Sequence, residues 1–286
     1  MVDPFQQLGE GPFNLETQMV PIIGFDLKEE PEPTAMEKKS VLYGKHSLKF
    51  LRHIANLANV EVSQLQDFDF DLFDVHKGCI GGISNEFFFA PRIDDKLCSF
   101  AAINSLIEYA SEADYDESFV VVTCYDNEEL GSLSRQGARG GIFELVVDKV
   151  IAASAQTKNV VSQTRVAMAN SIILSADVTH AYNPNFDSAY LKGHSPLLNT
   201  GIVVKFYNET KTSTDKVGLA FVKLLANLTN NKIQIFKCRN DIRSGSTIGS
   251  FISSQTGART IDVGIPQLAM HSIRGMSGSQ DIGLGI

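Results

Sequence analysis

Residues 119–129 have the sequence Phe-Val-Val-Val-Thr-Cys-Tyr-Asp-Asn-Glu-Glu, an apolar run that ends in a cluster of acids. Such a nearly continuous apolar run is typical of a strand buried on both faces. The run Ser-Ile-Ile-Leu-Ser-Ala at 171–176 has the same character. Because strand-like and helix-like patterns alternate from about residue 88 onward, the sequence predicts an α/β fold with a mostly parallel sheet covered by helices.

The predicted elements divide the chain after residue 87. Before it we expect strands at 20–25 and 67–74 and a helix at 47–57. The alternating acids of 67–74 do not indicate a calcium-binding loop, because the segment lacks the glycine turn and final glutamate of an EF-hand. After it we expect helices at 97–109, 142–152, 216–228 and 247–255, and strands at 119–125, 171–176, 202–206, 233–237 and 260–264.

Composition excludes several classes of protein. The 286 residues carry a formal charge of -8, which is untypical of a nucleic-acid-binding protein, and 43% of them are hydrophobic, which is enough to bury a large core. The sequence contains no run of the roughly 18–20 apolar residues that a membrane-spanning helix needs. Residues 1–30 do not resemble a secretory signal, so we expect synthesis in the cytosol. The scattered cysteines, without a Cys-x-x-Cys pair, predict buried thiols rather than disulfides or zinc ligands.

Four polar groups follow predicted strands: Asp94, the pair Glu128–Glu129, Asp177 and His271. Taken singly, Asp94 is explained by capping a helix, Asp177 by a solvated turn and His271 by a structural role. If their strands lie in one sheet, they converge on one edge as ligands that zinc or manganese accepts. One aspartate would bridge two ions, and Glu128, beside a ligand, would be the general base.

The segment Gly245-Ser-Thr-Ile-Gly249 opens a predicted helix, where backbone N–H groups could bind an anion such as a substrate carboxylate. It lacks the lysine of a P-loop, and a tight turn explains it equally well. A serine hydrolase is not supported, because Gly275-Met-Ser-Gly-Ser279 does not match the Gly-x-Ser-x-Gly motif.

Five motifs in order resemble those of the M18 aspartyl aminopeptidases, and within that family its vacuolar type. They are Ala90-Pro-Arg-Ile-Asp-Asp95, Tyr125-Asp-Asn-Glu-Glu-Leu-Gly-Ser132, Leu174-Ser-Ala-Asp-Val-Thr-His-Ala181, Gly245-Ser-Thr-Ile-Gly249 and Gln267-Leu-Ala-Met-His-Ser-Ile-Arg274. The resemblance implies a zinc-exopeptidase-like fold for 88–286, which would be an incomplete catalytic domain. It also implies that 1–87 is the C-terminal part of a β-rich dimerisation domain.

The resemblance further implies the chemistry. Two zinc ions, or manganese or cobalt, would be held by Asp94 as the bridge with Glu129, Asp177 and His271, and Glu128 would be the general base. Lys205, Gly245, Ser246 and Thr247 would contact the substrate. The activity implied is removal of N-terminal residues from peptides by a homo-oligomer, a dodecamer in the family.

The resemblance also implies a location and a limit on activity. The location would be the vacuole, reached from the cytosol, or else the cytoplasm; no nucleic acid and no membrane insertion is expected. Ile242-Arg-Ser244 departs from the aspartyl-specific pattern, and the vacuolar type favours neutral residues such as leucine. The family's His-x-Asp motif has no match in the sequence, so we expect weak or no activity of this chain alone.

Two alternatives remain. One is a noncatalytic assembly or cargo protein that retains the peptidase fold and its oligomer surfaces. The other is a two-metal deacylase of N-acyl amino acids, which would use the same donor set but would not need a free α-amine.

Overall fold

The computed structural model describes residue 14 and residues 16–25, 30–112, 118–154, 159–207, 211–242 and 245–285. The chain forms two compact units, residues 1–73 and residues 74–286. This boundary lies before the one expected after residue 87, so residues 74–87 group with the second unit. The relation of the first segment to a dimerisation domain stays a prediction.

The first unit is organised around an amphipathic helix, α1 (Leu48–Ala58), at the position predicted from its apolar spacing. Leu51 and Ala55 lie one turn apart on its buried face. The rest of this core comes from Leu42, Val62 and Leu65. Asn59 ends the helix in the left-handed conformation. Short 3-10 helices span Glu37–Lys39 and Val62–Gln64.

The two strands predicted in the early part of the chain are wrong. Neither 20–25 nor 67–74 is assigned to a strand or paired in a sheet with any described residue. In the second segment the Asp67 carboxylate accepts a hydrogen bond from the Phe68 N–H at 2.9 Å, and Asp69 does the same for its neighbour at 3.0 Å. Such local bonds compete with strand pairing, so period-two alternation is insufficient here.

The second unit contains two sheets. Its strands are β1 (Cys79–Gly81), β2 (Phe87–Ala90), β3 (Ile172–Ala176), β4 (Thr179–His180), β5 (Val203–Lys205), β6 (Gln234–Phe236), β7 (Arg259–Gly264), β8 (Pro266–Leu268) and β9 (Gly275–Gly278). One sheet has the order β3-β7-β5-β6 and the other β1-β2-β9-β8-β4. In the first, β3 and β7 run parallel, as do β5 and β6, whereas β5 and β7 are antiparallel. The predicted α/β class is confirmed, but the mostly parallel sheet that we expected is wrong, because both sheets of the described residues contain parallel and antiparallel pairs.

Helices cover these sheets. They are α2 (Ile93–Glu112), α3 (Ile142–Ser154), α4 (Val160–Ala169), α5 (Lys216–Leu228), α6 (Gly249–Thr256) and α7 (Asp281–Leu284), with a 3-10 helix at Pro184–Ala189. The four predicted helices of this part are confirmed as α2, α3, α5 and α6. Helix α4 was not predicted; it is capped by the Asn159 side chain, which accepts a hydrogen bond from the Ser162 N–H at 3.2 Å.

Two apolar clusters hold the elements that carry the candidate site. Val222 of α5 packs against Val204 of β5 and Ile261 of β7. On the other side Ile93 and Leu97 of α2 lie in one buried cluster, which also contains Ala90, Cys98, Ala101, Val178 and Ile265. The start of α2 and the ends of β3 and β7 therefore share one core.

The strand predicted at 119–125 is also wrong. Val120 and Val121 are 43% and 41% exposed, and the segment has no sheet pairing within the described ranges. Its apolar composition suits a buried strand, but a strand needs a partner for its backbone groups.

The cysteine prediction holds only in part. Cys98 is buried, whereas Cys79 and Cys124 are exposed and Cys238 is intermediate. Cys79 lies on β1, an edge strand of its sheet, and apolar neighbours in the sequence do not ensure that a side chain on an edge strand is buried.

No helix in the described ranges is both long enough and apolar enough to span a bilayer.

Candidate functional site

The candidate site lies where several strands of the second unit end. Asp94 follows β2 at the start of α2, Asp177 follows β3 directly, and His271 comes shortly after β8. Glu129 lies in a tight turn, in which the Gly131 N–H donates to the Glu128 carbonyl at 2.8 Å. Ligand sites of α/β folds commonly lie beyond the carboxyl ends of strands.

The start of α2 shows which aspartate caps the helix. Asp94 and Asp95 both have non-helical backbone angles. The Asp95 carboxylate accepts a hydrogen bond from the Cys98 N–H at 3.2 Å, which is the capping interaction that was one explanation for this motif. The Asp94 side chain is therefore free for another role.

Asp94, Glu129 and His271 come together. Nε2 of His271 lies 3.3 Å from Oδ2 of Asp94 and 3.2 Å from Oε1 of Glu129. One ligand atom from each residue lies within 4.8 Å of the others. Two carboxylates and an imidazole around a common point form a donor set that suits zinc.

The backbone around this group is unusual. His271 and Asn127 have φ angles of 60° and 59°. Residues other than glycine adopt this left-handed region at an energetic cost, which the surrounding structure must offset, and they are common at functional sites. His271 belongs to the cluster, and Asn127 lies two positions before Glu129, another of its members.

Negative charge predominates at the site, because burial and the neighbouring acids raise the carboxyl pKa values more than the positive charge of Lys205 lowers them. The pKa of Asp94 is raised to about 6, first by burial and then by the negative charges of Asp177 and Glu129. The pKa of Glu128 is raised to about 7, again by burial first and then by Asp177 and Glu129. A bound cation would offset this repulsion, so the residues fit a metal site.

Asp177 is close to the cluster but does not belong to the three-residue group found among the described residues. Its Oδ2 accepts from Nζ of Lys205 at 3.1 Å. Lys205, at the end of β5, is only 5% exposed. The sequence-predicted metal ligand and the predicted substrate lysine are thus directly paired, and the ligand role of Asp177 stays a prediction.

The predicted substrate segment is less closely joined to the cluster. Gly245 and Ser246 are exposed, and Thr247 is half-buried. The Thr247 hydroxyl donates to Oδ1 of Asp262 at 3.3 Å, which ties it to β7. Arg243 and Ser244, part of the departure from the aspartyl-specific pattern, lie outside the described residues.

His180 was not predicted as a site residue. Its pKa is lowered, first by partial desolvation and then by the positive charges of Lys205 and His271, although the side chain remains open to solvent. The ring therefore lies near the predicted site. Its place three residues after Asp177 in one motif was the available signal.

A separate concavity of about 420 Å³ lies at the other end of the mixed sheet. It is lined by residues at the starts of β3 and β7, including Ile172, Arg259 and Thr260, together with Asp215. Its lining contains none of the predicted site residues.

Comparison with known proteins identifies the family of this chain. Residues 6–286 match the family described as Aminopeptidase I zinc metalloprotease (M18). The chain belongs to the M18 family of zinc metalloproteases. All of the predicted site residues lie within the matched part of this M18 chain.

Individual relatives are similar over almost the whole chain. Vacuolar aminopeptidase 1 of Saccharomyces cerevisiae is 54% identical over 99% of this M18 chain and 55% of its own length. The crystal structure of prApe1 has a TM-score of 0.90 at 52% identity, covering 98% of this chain and 59% of that one. The S. cerevisiae mApe1 dodecamer has a TM-score of 0.79 at 52% identity, covering 89% and 56%. The chain therefore spans a little more than half the length of these relatives.

Proposed function

We propose that this M18 chain carries the metal centre and general base of a zinc-dependent aminopeptidase that removes N-terminal residues from peptides. The observation that carries the proposal is the convergence of Asp94, Glu129 and His271 within 4.8 Å of one another. They come from three separate segments, and Glu128 lies directly beside one of them. Membership of a zinc metalloprotease family supports zinc as the metal.

The ligand set favours one well-defined ion. Asp94, Glu129 and His271 would hold it, while Asp94 and Asp177 would offer carboxylates to a second; manganese or cobalt would suit the same donors. When bound, such ions supply Lewis acidity that polarises a peptide carbonyl and makes water more acidic. The protein contributes the placement of the ligands and the groups that move protons.

Glu128 is proposed as the general base. A carboxylate oxygen of Glu128 would accept a proton from the attacking water and pass it to the leaving amine. A base with this task works best with a pKa near neutrality, and burial and neighbouring carboxylates hold the pKa of Glu128 at about 7 in the metal-free protein. As the neighbour of Glu129 in one tight turn, it is placed beside the metal ligands without being one.

Substrate binding is proposed for the groups around the cluster. The ammonium of Lys205 is already fixed by Asp177, which would let it interact with the substrate without a large loss of side-chain entropy. The Gly245, Ser246 and Thr247 segment, directly before α6, would contact the substrate through its backbone. The departure of this chain from the aspartyl-specific pattern favours neutral N-terminal residues such as leucine.

A matched pair of variants tests the proposal. Zinc is titrated by calorimetry into the purified full chain, into Glu128→Gln and into Glu129→Gln, and hydrolysis of leucyl and aspartyl anilides is measured on the same samples. We expect Glu129→Gln to lose at least tenfold in zinc affinity, on the order of the effect of losing a ligand contact. Glu128→Gln, with the same change one residue away, should keep zinc but lose at least a hundredfold in turnover.

The other outcomes bear on separate parts of the proposal. If zinc binds equally well to both variants, the assigned metal centre is wrong. If zinc binds as expected but the parent chain hydrolyses nothing, the result agrees with the weak or absent activity expected of this chain alone, and the base role of Glu128 stays a prediction. Hydrolysis of N-acetyl-leucine in preference to leucyl anilide would favour the deacylase.

Assembly and location are proposed from the relatives. One similar structure is a dodecamer and one similar protein is named vacuolar. We infer a homo-oligomer and a vacuolar destination for the protein that carries this chain. Light scattering would test the first, with a monomer at micromolar concentration as the contrary result, and imaging of a tagged protein in its host would test the second.

A further inference from the structure

A buried carboxylate lies beneath the proposed substrate segment. Asp262, in β7, is 1% exposed. Its Oδ2 accepts two hydrogen bonds from Ser213, one from the backbone N–H at 2.6 Å and one from the hydroxyl at 2.8 Å. Its Oδ1 accepts from the Thr247 hydroxyl at 3.3 Å. The proposed metal centre does not include this residue.

The Thr247 hydroxyl is tied to two neighbouring strands at once. Ser175 of β3 and Asp262 of β7 are directly opposite each other in the parallel pair. The hydroxyl lies 3.3 Å from Oγ of Ser175, and the Gly249 N–H donates to it at 3.5 Å. Since a hydroxyl has one proton and two lone pairs, these three partners use its full capacity. The carboxylate only accepts and so takes the proton of the Thr247 hydroxyl, which leaves Ser175 as the donor in the bond between the two hydroxyl groups.

Close packing against the same two side chains also restricts this segment. A Cβ at Gly249, the first residue of α6, would overlap Oδ1 of Asp262 and lie 2.8 Å from Oγ of Ser175. Glycine is therefore required for the start of this helix to approach the two strands. Packing and hydrogen bonds together locate residues 247–249 relative to β3, whose next residues lead to Asp177.

We propose that Asp262 is a positioning residue that holds Thr247, and with it residues 245–247, in the orientation that binds the peptide substrate. The inference rests on the proposed function for the identity of the substrate, but the holding of the segment is independent of it. An uncharged amide replaces the carboxylate poorly, because it lacks the charged acceptor to which Ser213 and Thr247 both donate. In one orientation of an asparagine side chain, its NH₂ group faces the two donors of Ser213. In the other it faces Thr247, which would then have to accept a hydrogen bond from the amide and donate its own proton elsewhere.

The test compares the full chain with Asp262→Asn, Thr247→Val and Thr247→Ser. Thr214→Val is the matched control, because the Thr214 hydroxyl accepts from the backbone N–H of Asp262 at 2.8 Å and has no bond to its carboxylate. The first readout is amide hydrogen exchange across 245–249, which needs no activity. We expect at least tenfold faster exchange in Asp262→Asn and Thr247→Val than in the parent, and parent-like exchange in Thr247→Ser and Thr214→Val.

The second readout is KM for leucyl anilide, or Kd for leucine on the zinc-loaded protein if the parent does not turn over. Loss of a hydrogen bond to a charged group predicts a value about tenfold higher in Asp262→Asn and Thr247→Val, with kcat changed much less. Thr247→Ser, which keeps the hydroxyl group, should have a KM or Kd close to that of the parent. Because zinc affinity and exchange are measured separately, a failure to bind zinc counts against the proposed function and not against the holding of the segment.

Three results would overturn the inference. The first is unchanged exchange at 245–249 in Asp262→Asn. The second is an equal increase in exchange and KM in Thr214→Val, which would show general loosening of the fold. The third is faster exchange in Asp262→Asn with KM or Kd unchanged, which would remove any role in substrate binding. If Asp262→Asn does not fold, Thr247→Val and Thr247→Ser decide by the same readouts.

Discussion

Nζ of Lys205 lies 3.1 Å from Oδ2 of Asp177, and the lysine is almost wholly buried. The pair joins the end of β5 to the residue that follows β3. Its two charges act in opposite directions on the neighbouring acids, since Asp177 raises the pKa of Asp94 and Glu128 while Lys205 lowers both. A fixed cation is thus already present beside the group of carboxylates that would bind metal.

Lys205→Met should destabilise the metal-free protein. Removing one partner leaves the Asp177 carboxylate beside other acids without its counter-charge, and breaking a buried pair costs on the order of 3 kcal/mol. The free energy of unfolding in urea is the measurement. Adding Asp177→Asn to this variant removes the uncompensated charge and should recover part of the loss. If the double variant is no more stable than Lys205→Met, the pair does not have the role assigned to it.

Proton binding should oppose zinc binding. The pKa values of Asp94, Asp95 and Glu128 are raised to about 6, about 8 and about 7, in each case by burial first. A raised carboxyl pKa means that the folded protein binds more protons than the unfolded chain. The stability of the metal-free protein should therefore fall as the pH rises from about 4 to about 8.

Zinc must displace the proton of its ligand Asp94, and its charge favours ionised Glu128 nearby, so its affinity should rise over the same range, at least tenfold between pH 5.5 and 7.5. Calorimetry in buffers of different ionisation enthalpy measures the protons released. The His271 imidazole must also be neutral to bind zinc, which acts in the same direction. An affinity that is independent of pH would contradict protonated carboxyl groups at this site.

Gly264→Ala should disturb the backbone that carries Asp177. A Cβ at Gly264 would overlap the carbonyl oxygen of Asp177, which is main chain and cannot move aside as a flexible side chain would. We expect a loss of about 1–3 kcal/mol in the free energy of unfolding, the usual cost of overpacking. Gly283→Ala is the control, because nothing lies within 4 Å of its added Cβ. Equal effects of the two changes would contradict the close approach.

The cysteines should differ in reactivity. Burial raises the pKa of the Cys98 thiol, and Asp95 raises it further, whereas Cys79 and Cys124 are exposed. A thiol reagent should modify the two exposed residues in the native protein, and Cys98 at least about a hundredfold more slowly, because that reaction requires opening of the core. Mass spectrometry of peptides from partly modified protein assigns the sites. Rapid modification of Cys98 would show that the start of α2 is not packed as described.

Local sequence predicted the elements that depend on local signals. Helix α5 begins after Asp215, whose carboxylate accepts from the Gly218 N–H at 2.6 Å, and its bounds match the prediction. The run 119–125 shows the opposite case. Its apolar residues are those of a buried strand, but a strand also needs a partner, and none of the described residues pairs with it. Partner choice is a long-range property that composition does not encode.

The residues of the candidate site were predicted from the sequence more completely than the strands of the sheets were. Asp94, Glu129 and His271 meet as expected. The reason given for it was wrong in part, because β2 and β8 lie in one sheet and β3 in the other, and no described strand directly precedes Glu129. His180 was missed because a single histidine in a motif has no periodicity that distinguishes it. Asp262 was missed because its position within an apolar strand says nothing about which hydroxyl groups the fold brings to its carboxylate.

The sequence by itself determined which residues could do chemistry and where most of the helices lie, because residue type, spacing and helix caps act over a few positions along the chain. Tertiary structure alone decided that β5 runs antiparallel to β7, that Lys205 pairs with Asp177, and that Thr247 is held between β3 and β7. These relationships join residues far apart in sequence. Their distances follow from how strands and helices pack, and that packing is set by the whole core at once.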